Sequence, residues 1–241
     1  IFKYPEFDSY KGCYVQKHCT LYESEAVEGS VEFYRDTLKQ NRQTYKRLRK
    51  RFLMMVPEAL EVRRKWLVGD EVHIGDATDF ITDLKRGSTP DEKIYVRRSR
   101  NERDIVAAVL VDTSSSTDEI VGSQRIIDLE KSALSLLAAV LAPIGDTFGI
   151  FTFCSMGRNN VFYSIIKDFD EAWGERGQSR IDTITPNASN RDGCCIRHTA
   201  EKLLAREETT KLLILLSDGI PADPGYGGSS SGETGEYALE D

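Results

Sequence analysis

The chain has 241 residues, with 40% apolar and 29% charged side chains, the balance of an ordinary globular protein. Its net charge of -7 leaves no surplus of cations to displace counterions, which argues against nucleic acid as a general partner. No apolar run is long enough to span a membrane, and the opening IFKYPEFDSY is not the apolar core of a signal peptide. With an odd count of five cysteines, these features point to reduced thiols and a cytoplasmic protein.

Tyr4-Pro5-Glu6-Phe7-Asp8 alternates aromatics and charges around a proline and reads as an extended, docked segment; residues 15–22 have weak strand character. Cys13, His18 and Cys19 are soft ligands but lack the C-x-x-C or H-x-x-x-H spacing of a metal site. Over residues 31–56, Val31, Tyr34, Leu38, Tyr45, Leu48 and Phe52 recur near helical spacing and predict one long amphipathic helix. Its basic face, Lys39, Arg42, Lys46, Arg47, Arg49, Lys50 and Arg51, is either a solvated surface or a dock for an acidic partner. Pro57 predicts a restarted helix through residue 66. Residues 74–84 form a third helical stretch, with Asp76 at its start and Gly87 past its end. Residues 93–99 alternate like an edge strand. Residues 1–100 are thus read as a mainly helical N-terminal extension, ahead of an α/β domain over 101–241.

In that second part an unbroken apolar run, IVAAVLV, ends in Asp112-Thr113-Ser114-Ser115-Ser116. Such a run predicts a strand buried on both faces, and the carboxyl end of such strands is where open α/β sheets bind ligands. One carboxylate and two hydroxyls at alternate positions suit a divalent cation such as Mg2+. The same residues could merely cap the next helix, and this stretch alone leaves both readings open. Residues 126–141 predict a buried helix, 148–153 and 161–166 two further strands, and 168–176 a helix carrying Trp173. A polar stretch follows, then a helix over 193–205 in which Cys194 and Cys195 are packing residues and His198 has no evident partner. A second apolar strand, KLLILL, ends in Ser217-Asp218-Gly219 with Pro221 beyond it, and a Gly/Ser-rich loop is expected over 224–235.

Together the D-x-S-x-S and apolar-S-D-G-x-P patterns resemble a von Willebrand factor A (vWA) domain with its metal-ion-dependent adhesion site. The likeness extends to the NorD/CbbO family through Tyr4-Pro5-Glu6-Phe7-Asp8, Gly69-Asp70-Glu71, Asp83-Leu84-Lys85-Arg86-Gly87, Arg103-Asp104, Asn190-Arg191-Asp192-Gly193 with Ile196-Arg197-His198, and Tyr237-Ala238-Leu239-Glu240-Asp241. The resemblance implies a doubly wound, mostly parallel sheet. It also implies a site of Asp112, Ser114, Ser116, Asn190 and Asp218 around Mg2+, or another divalent cation such as Mn2+ or Ca2+. Asn190 stands where most vWA domains have Thr; Thr185 and Asp192 are alternatives for that place. An open coordination position would take a carboxylate from a partner. Members of the family work beside a MoxR-type AAA+ ATPase to activate a client enzyme, nitric oxide reductase in one branch and Rubisco in the other. The resemblance therefore implies a non-enzymatic adaptor, with the nitric oxide reductase role favoured and a Rubisco-type adaptor or a metal-chelatase subunit as alternatives. No G-x-x-x-x-G-K-[ST] is present, so the ATPase is expected to be a separate chain. A hydrolase using Ser114 or Ser116 lacks a G-x-S-x-G motif. The family sheet has six strands, two of them after the S-D-G strand. Those two are expected beyond Asp241, in a longer protein of which this chain, starting at Ile1, is a piece.

Overall fold

The computed structural model of the chain describes residues 1–8, 11–54, 60–69, 71–100, 104–219, 221–226 and 241. Its elements in chain order are β1 (Phe2–Asp8), β2 (Cys13–Glu25), α1 (Glu32–Gln40), α2 (Arg42–Met54), β3 (Leu60–Trp66), β4 (Glu71–Val72), α3 (Ile74–Arg86), β5 (Tyr95–Arg100), β6 (Ile105–Asp112), β7 (Ile120–Val121), β8 (Gln124–Arg125), α4 (Ile126–Leu141), β9 (Thr147–Ser155), β10 (Val161–Lys167), α5 (Glu175–Asp182), α6 (Asp192–Leu204) and β11 (Thr210–Leu216). Residues 1–49 and 104–241 form one compact unit, and residues 50–103 a second.

The first unit is an α/β fold around a six-stranded mixed sheet in the order β1-β2-β10-β9-β6-β11. β6 pairs in parallel with both β9 and β11, β10 runs antiparallel to β9, and β2 runs parallel to β10. From Val106 to Asp112 every residue of β6 is buried, as an apolar strand in the middle of a covered sheet should be. Side chains alternate across the sheet. Phe151, Phe153 and Tyr163 join Leu110, Cys194, Cys195 and Leu203 in one core, which fastens α6 to the sheet. Each such aromatic or aliphatic side chain contributes about 1.5–3 kcal/mol through burial. Ile127, Leu134 and Ala138 are the buried side of α4.

The chain starts with strands, not with a helical extension. β1 and β2 pair antiparallel and lie beyond β10, so the docked reading of Tyr4 to Asp8 was the sounder one. Tyr4, Cys19 and Leu21 belong to the core, which short-range periodicity cannot reveal. The helix expected over 31–56 is two helices. Asn41 divides them: its side-chain amide donates to Thr37 O at 3.0 Å and closes α1, while its own carbonyl accepts from Tyr45 N to open α2. The helix expected over 168–176 begins later, as α5. The Asp168 carboxylate takes the Phe169 N–H at 2.9 Å, which holds a turn there, and Trp173 donates to the Tyr34 hydroxyl at 3.3 Å.

In the second unit β3, β5 and β4 form a three-stranded antiparallel sheet with β5 in the middle. The helix expected up to residue 66 is therefore a strand over Leu60–Trp66, and residues 57–59 lie outside the described residues. β5 is a central strand of its own sheet. α3 matches expectation: Gly87 sits at its end in the left-handed region at φ 74°, where glycine costs nothing, and His73 caps its start by accepting from Asp76 N. The loop expected over 224–235 is described only at 224–226, where Tyr226 is buried. Among the described residues no helix is long and apolar enough to cross a membrane.

Candidate metal centre

β6 and β11 run side by side with Leu216 opposite Val111, so Ser217 comes level with Asp112 at the carboxyl rim. The Ser217 hydroxyl donates to Asp112 Oδ2 at 3.4 Å, and Asp218 follows, exposed at the rim. The two distant aspartates thus end on one edge of one sheet, as their strand-end positions imply. Asp112 is fully buried, and its Oδ1 accepts the Ser114 N–H at 2.7 Å. The Ser114 and Ser116 hydroxyls lie 2.9 Å apart. Ser114 precedes a short 3-10 helix over Ser115–Asp118, yet its side chain does not cap that helix. Its hydroxyl is directed to Ser116 instead.

The loop before α6 is laced to this rim. Asn187 N–H donates to Thr113 O at 2.7 Å, Ser115 N–H to Ala188 O at 2.9 Å, and Ser189 pairs with Ser155 at the end of β9. Ala188 holds a positive φ of 56°, an uncommon conformation for a residue with a Cβ, fixed here by that lacing. Asn190 arrives buried: its Nδ2 donates to Asp112 Oδ2 at 2.8 Å, and its Oδ1 accepts from Ala222 N at 2.7 Å. Thr185, the alternative hydroxyl, is exposed and lines a cavity of about 300 Å³ with Thr113, Thr152, Ser164 and Asn187.

The electrostatics of the rim are one-sided. Burial raises the Asp112 carboxyl above its ordinary value; the Ser114 hydrogen bonds oppose this and the Asp218 charge adds to it. Glu130 on α4 is pushed up to about 7, by burial first and then by the charges of Asp112 and Asp218. Asp192, the first residue of α6, is also pushed up to about 7, by burial and the same two charges, with Asn190 working the other way. Asp192 Oδ1 and Glu130 Oε2 are buried without a hydrogen-bond partner. Among the described residues none of these four carboxylates is in an ion pair. Buried like charges with orphaned oxygens and no counter-charge are the environment a cation would relieve. The donor set, carboxylates and hydroxyls, fits a hard divalent cation. Among the described residues no three His, Cys, Asp or Glu side chains converge as a metal cluster by themselves, so such a cation would depend on the serine hydroxyls and on water.

Sequence reasoning did not reveal the burial of two residues that shape this rim, Glu130 and Arg191. Glu130 sits within an apolar helix and reads as solvent-facing until the fold is known. Arg191 is fully buried. It is ion-paired to Glu6 Oε2 and to Asp223 Oδ2, each at 2.7 Å, donates to Pro224 O and lies over the Tyr226 ring at 4.4 Å. It ties β1 and the segment after β11 to the residue beside Asn190. His198, expected to lack a partner, is buried between the Tyr4 hydroxyl at 2.8 Å and Glu23 Oε2 at 2.9 Å, and it serves the packing of α6 against the N-terminal strands.

No family model matches the chain. It is 33% identical over 238 residues to Protein NorD of Brucella melitensis, covering 99% of this chain and 36% of that protein. To Protein NorD of Stutzerimonas stutzeri it is 31% identical over 201 residues, covering 81% of this chain and 31% of that protein. The PilB minor pilin of Streptococcus sanguinis superposes with a TM-score of 0.44 at 19% identity, over 53% of this chain and 33% of the pilin. The chain spans about a third of the length of the curated relatives it matches. Along nearly its whole length it is homologous to the NorD proteins, and it belongs to their family.

Proposed function

We propose that this chain is the vWA-like part of a non-enzymatic adaptor, whose sheet rim holds a divalent cation of the Mg2+ type. Asp112, Ser114, Ser116 and Asp218 would hold the ion, with Asn190 hydrogen-bonded to Asp112 beside it. When bound, the cation supplies a Lewis-acidic position open to a carboxylate of a client protein. The protein's own part is to fix Asp112 and the two hydroxyls and to shield them on the buried side. A separate MoxR-type AAA+ ATPase would supply the work, and the client would be an enzyme of the nitric oxide reductase type. The observation that carries this reading is the meeting of two strand ends, with Asp112 bonded to Ser217 beside Asp218 and the Ser114 and Ser116 hydroxyls paired in front of it.

Co-purification tests it. The MoxR-type ATPase and the client are expected to be retained by the wild-type chain in Mg2+ and lost both with chelator and with Asp112→Asn. Retention that ignores both treatments would refute a metal-dependent adaptor.

A further inference from the structure

The Asn190 side chain is already spent. Its carbonyl oxygen is fixed by the Ala222 N–H at 2.7 Å, which settles which end of the amide is oxygen. The other end is therefore the NH2 group, and it is this donor that points at Asp112 Oδ2, 2.8 Å away. A donor facing the carboxylate cannot also offer an oxygen to an ion bound there. Two residues on, Asp192 is only 9% exposed and its Oδ1 has no partner. Glu130 Oε2, from α4, is likewise buried and unpartnered. Both carboxylates lie within the electrostatic reach of Asp112 and Asp218. A buried carboxylate oxygen left without a donor is costly, so both are places where a hydrogen bond from a bound water would be welcome.

We propose that Asn190 orients Asp112 and is not a ligand of the cation, and that Asp192 and Glu130 accept hydrogen bonds from the waters the cation keeps. This rests on the metal reading above and assigns the chain's own residues within it. Mg2+ gives up its waters reluctantly, so water-borne carboxylates are a normal part of its sites. Groups that hold a metal's waters and ligands in place matter to affinity, typically by about 10-fold to 100-fold. They also leave the ion with few direct carboxylates, which keeps it attractive to a carboxylate from outside.

The test is Mn2+ binding to the full chain, followed through the electron paramagnetic resonance of the free ion, in wild type, Asp192→Asn, Glu130→Gln and Asn190→Thr. Melting of each metal-free variant checks that it folds. Asp192→Asn and Glu130→Gln are each expected to weaken binding about 10-fold to 100-fold. Asn190→Thr is expected to weaken it as well, because the amide clamp on Asp112 is lost. Should Asp192→Asn fail to fold, Glu130→Gln on a different helix carries the test. Wild-type affinity in both carboxylate variants would overturn the water-mediated role. Asn190→Thr binding as tightly as wild type, or more tightly, would restore residue 190 as a ligand and overturn the clamp. Absence of Mn2+ binding in the wild type would instead refute the metal reading itself, a distinguishable result.

Discussion

Asp112 shows how a single side chain sets the chemistry of its surroundings. It is buried beside Asp218, Asp192 and Glu130, so in the metal-free chain protons should gather on these carboxylates. Glu130 and Asp192 rise from ordinary values of 4.5 and 3.8 to about 7. In both, the folded protein holds the proton more tightly than the unfolded chain. The stability this provides is complete below about pH 4 and is lost as the pH climbs to about 7. The metal-free chain is thus expected to melt at falling temperature between pH 5 and pH 8. Glu130→Gln should flatten that slope, and saturating Mg2+ should largely abolish it. A melting series across this range decides the matter, and a metal-free protein that grows more stable over it would speak against the account. Arg191 gives a second expectation. Arg191→Met leaves Asp223 buried without its counter-ion and Glu6 with only Arg158, 3.8 Å away, and should cost about 3–5 kcal/mol in denaturant unfolding. At this scale the strand-end residues Asp112, Ser114, Ser116 and Asp218 were legible, because apolar runs that stop at polar oxygens are a local pattern. Glu130, Arg191 and Glu6 were not legible, because their burial is created by partners far away in the chain.

Elements were legible in proportion to how strongly their own pattern dictated them. β6, β9, β10, α4 and α6 carry continuous or strongly periodic apolar runs and emerge close to where those runs lie. The errors fall where a local hydrogen bond or a distant strand overrides the pattern. Asn41 divides a helix, Asp168 delays one, and pairing with β5 turns Leu60–Trp66 into a strand. The N-terminal pair β1–β2 has the largest consequence. It covers the β10 edge, a protection sheets need against open-edge association, and it delivers Glu6 to Arg191. Deleting residues 1–26 should therefore uncover β10 and leave Arg191 short of one counter-ion. The truncated chain is expected to aggregate or to lose its cooperative melt, while an equally soluble and cooperative product would contradict this role. Within the core, Phe151→Ala removes a ring stacked on Tyr163 and should cost about 3–5 kcal/mol.

For the molecule as a whole, the alternation of buried strands and helices made an α/β architecture readable, but the mixed order of the sheet came from long-range pairing that no window of sequence contains. Charge is also unevenly spread. α2 carries six cations, Arg42, Lys46, Arg47, Arg49, Lys50 and Arg51, with no acidic residue and no buried side chain, in a chain of net charge -7. Reversing Arg47, Arg49 and Lys50 to glutamate should shift stability by no more than about 0.5 kcal/mol per site, which marks this helix as surface and not scaffold. The same molecule brings its acidic groups together at the opposite chemical extreme, around Asp112, and the account depends on that gathering. The most direct test is the stoichiometry of Mn2+ binding to the metal-free chain. One ion per chain, displaced by Mg2+ and lost in Asp112→Asn, is the expected result; no saturable binding, or binding that Asp112→Asn leaves intact, would contradict it.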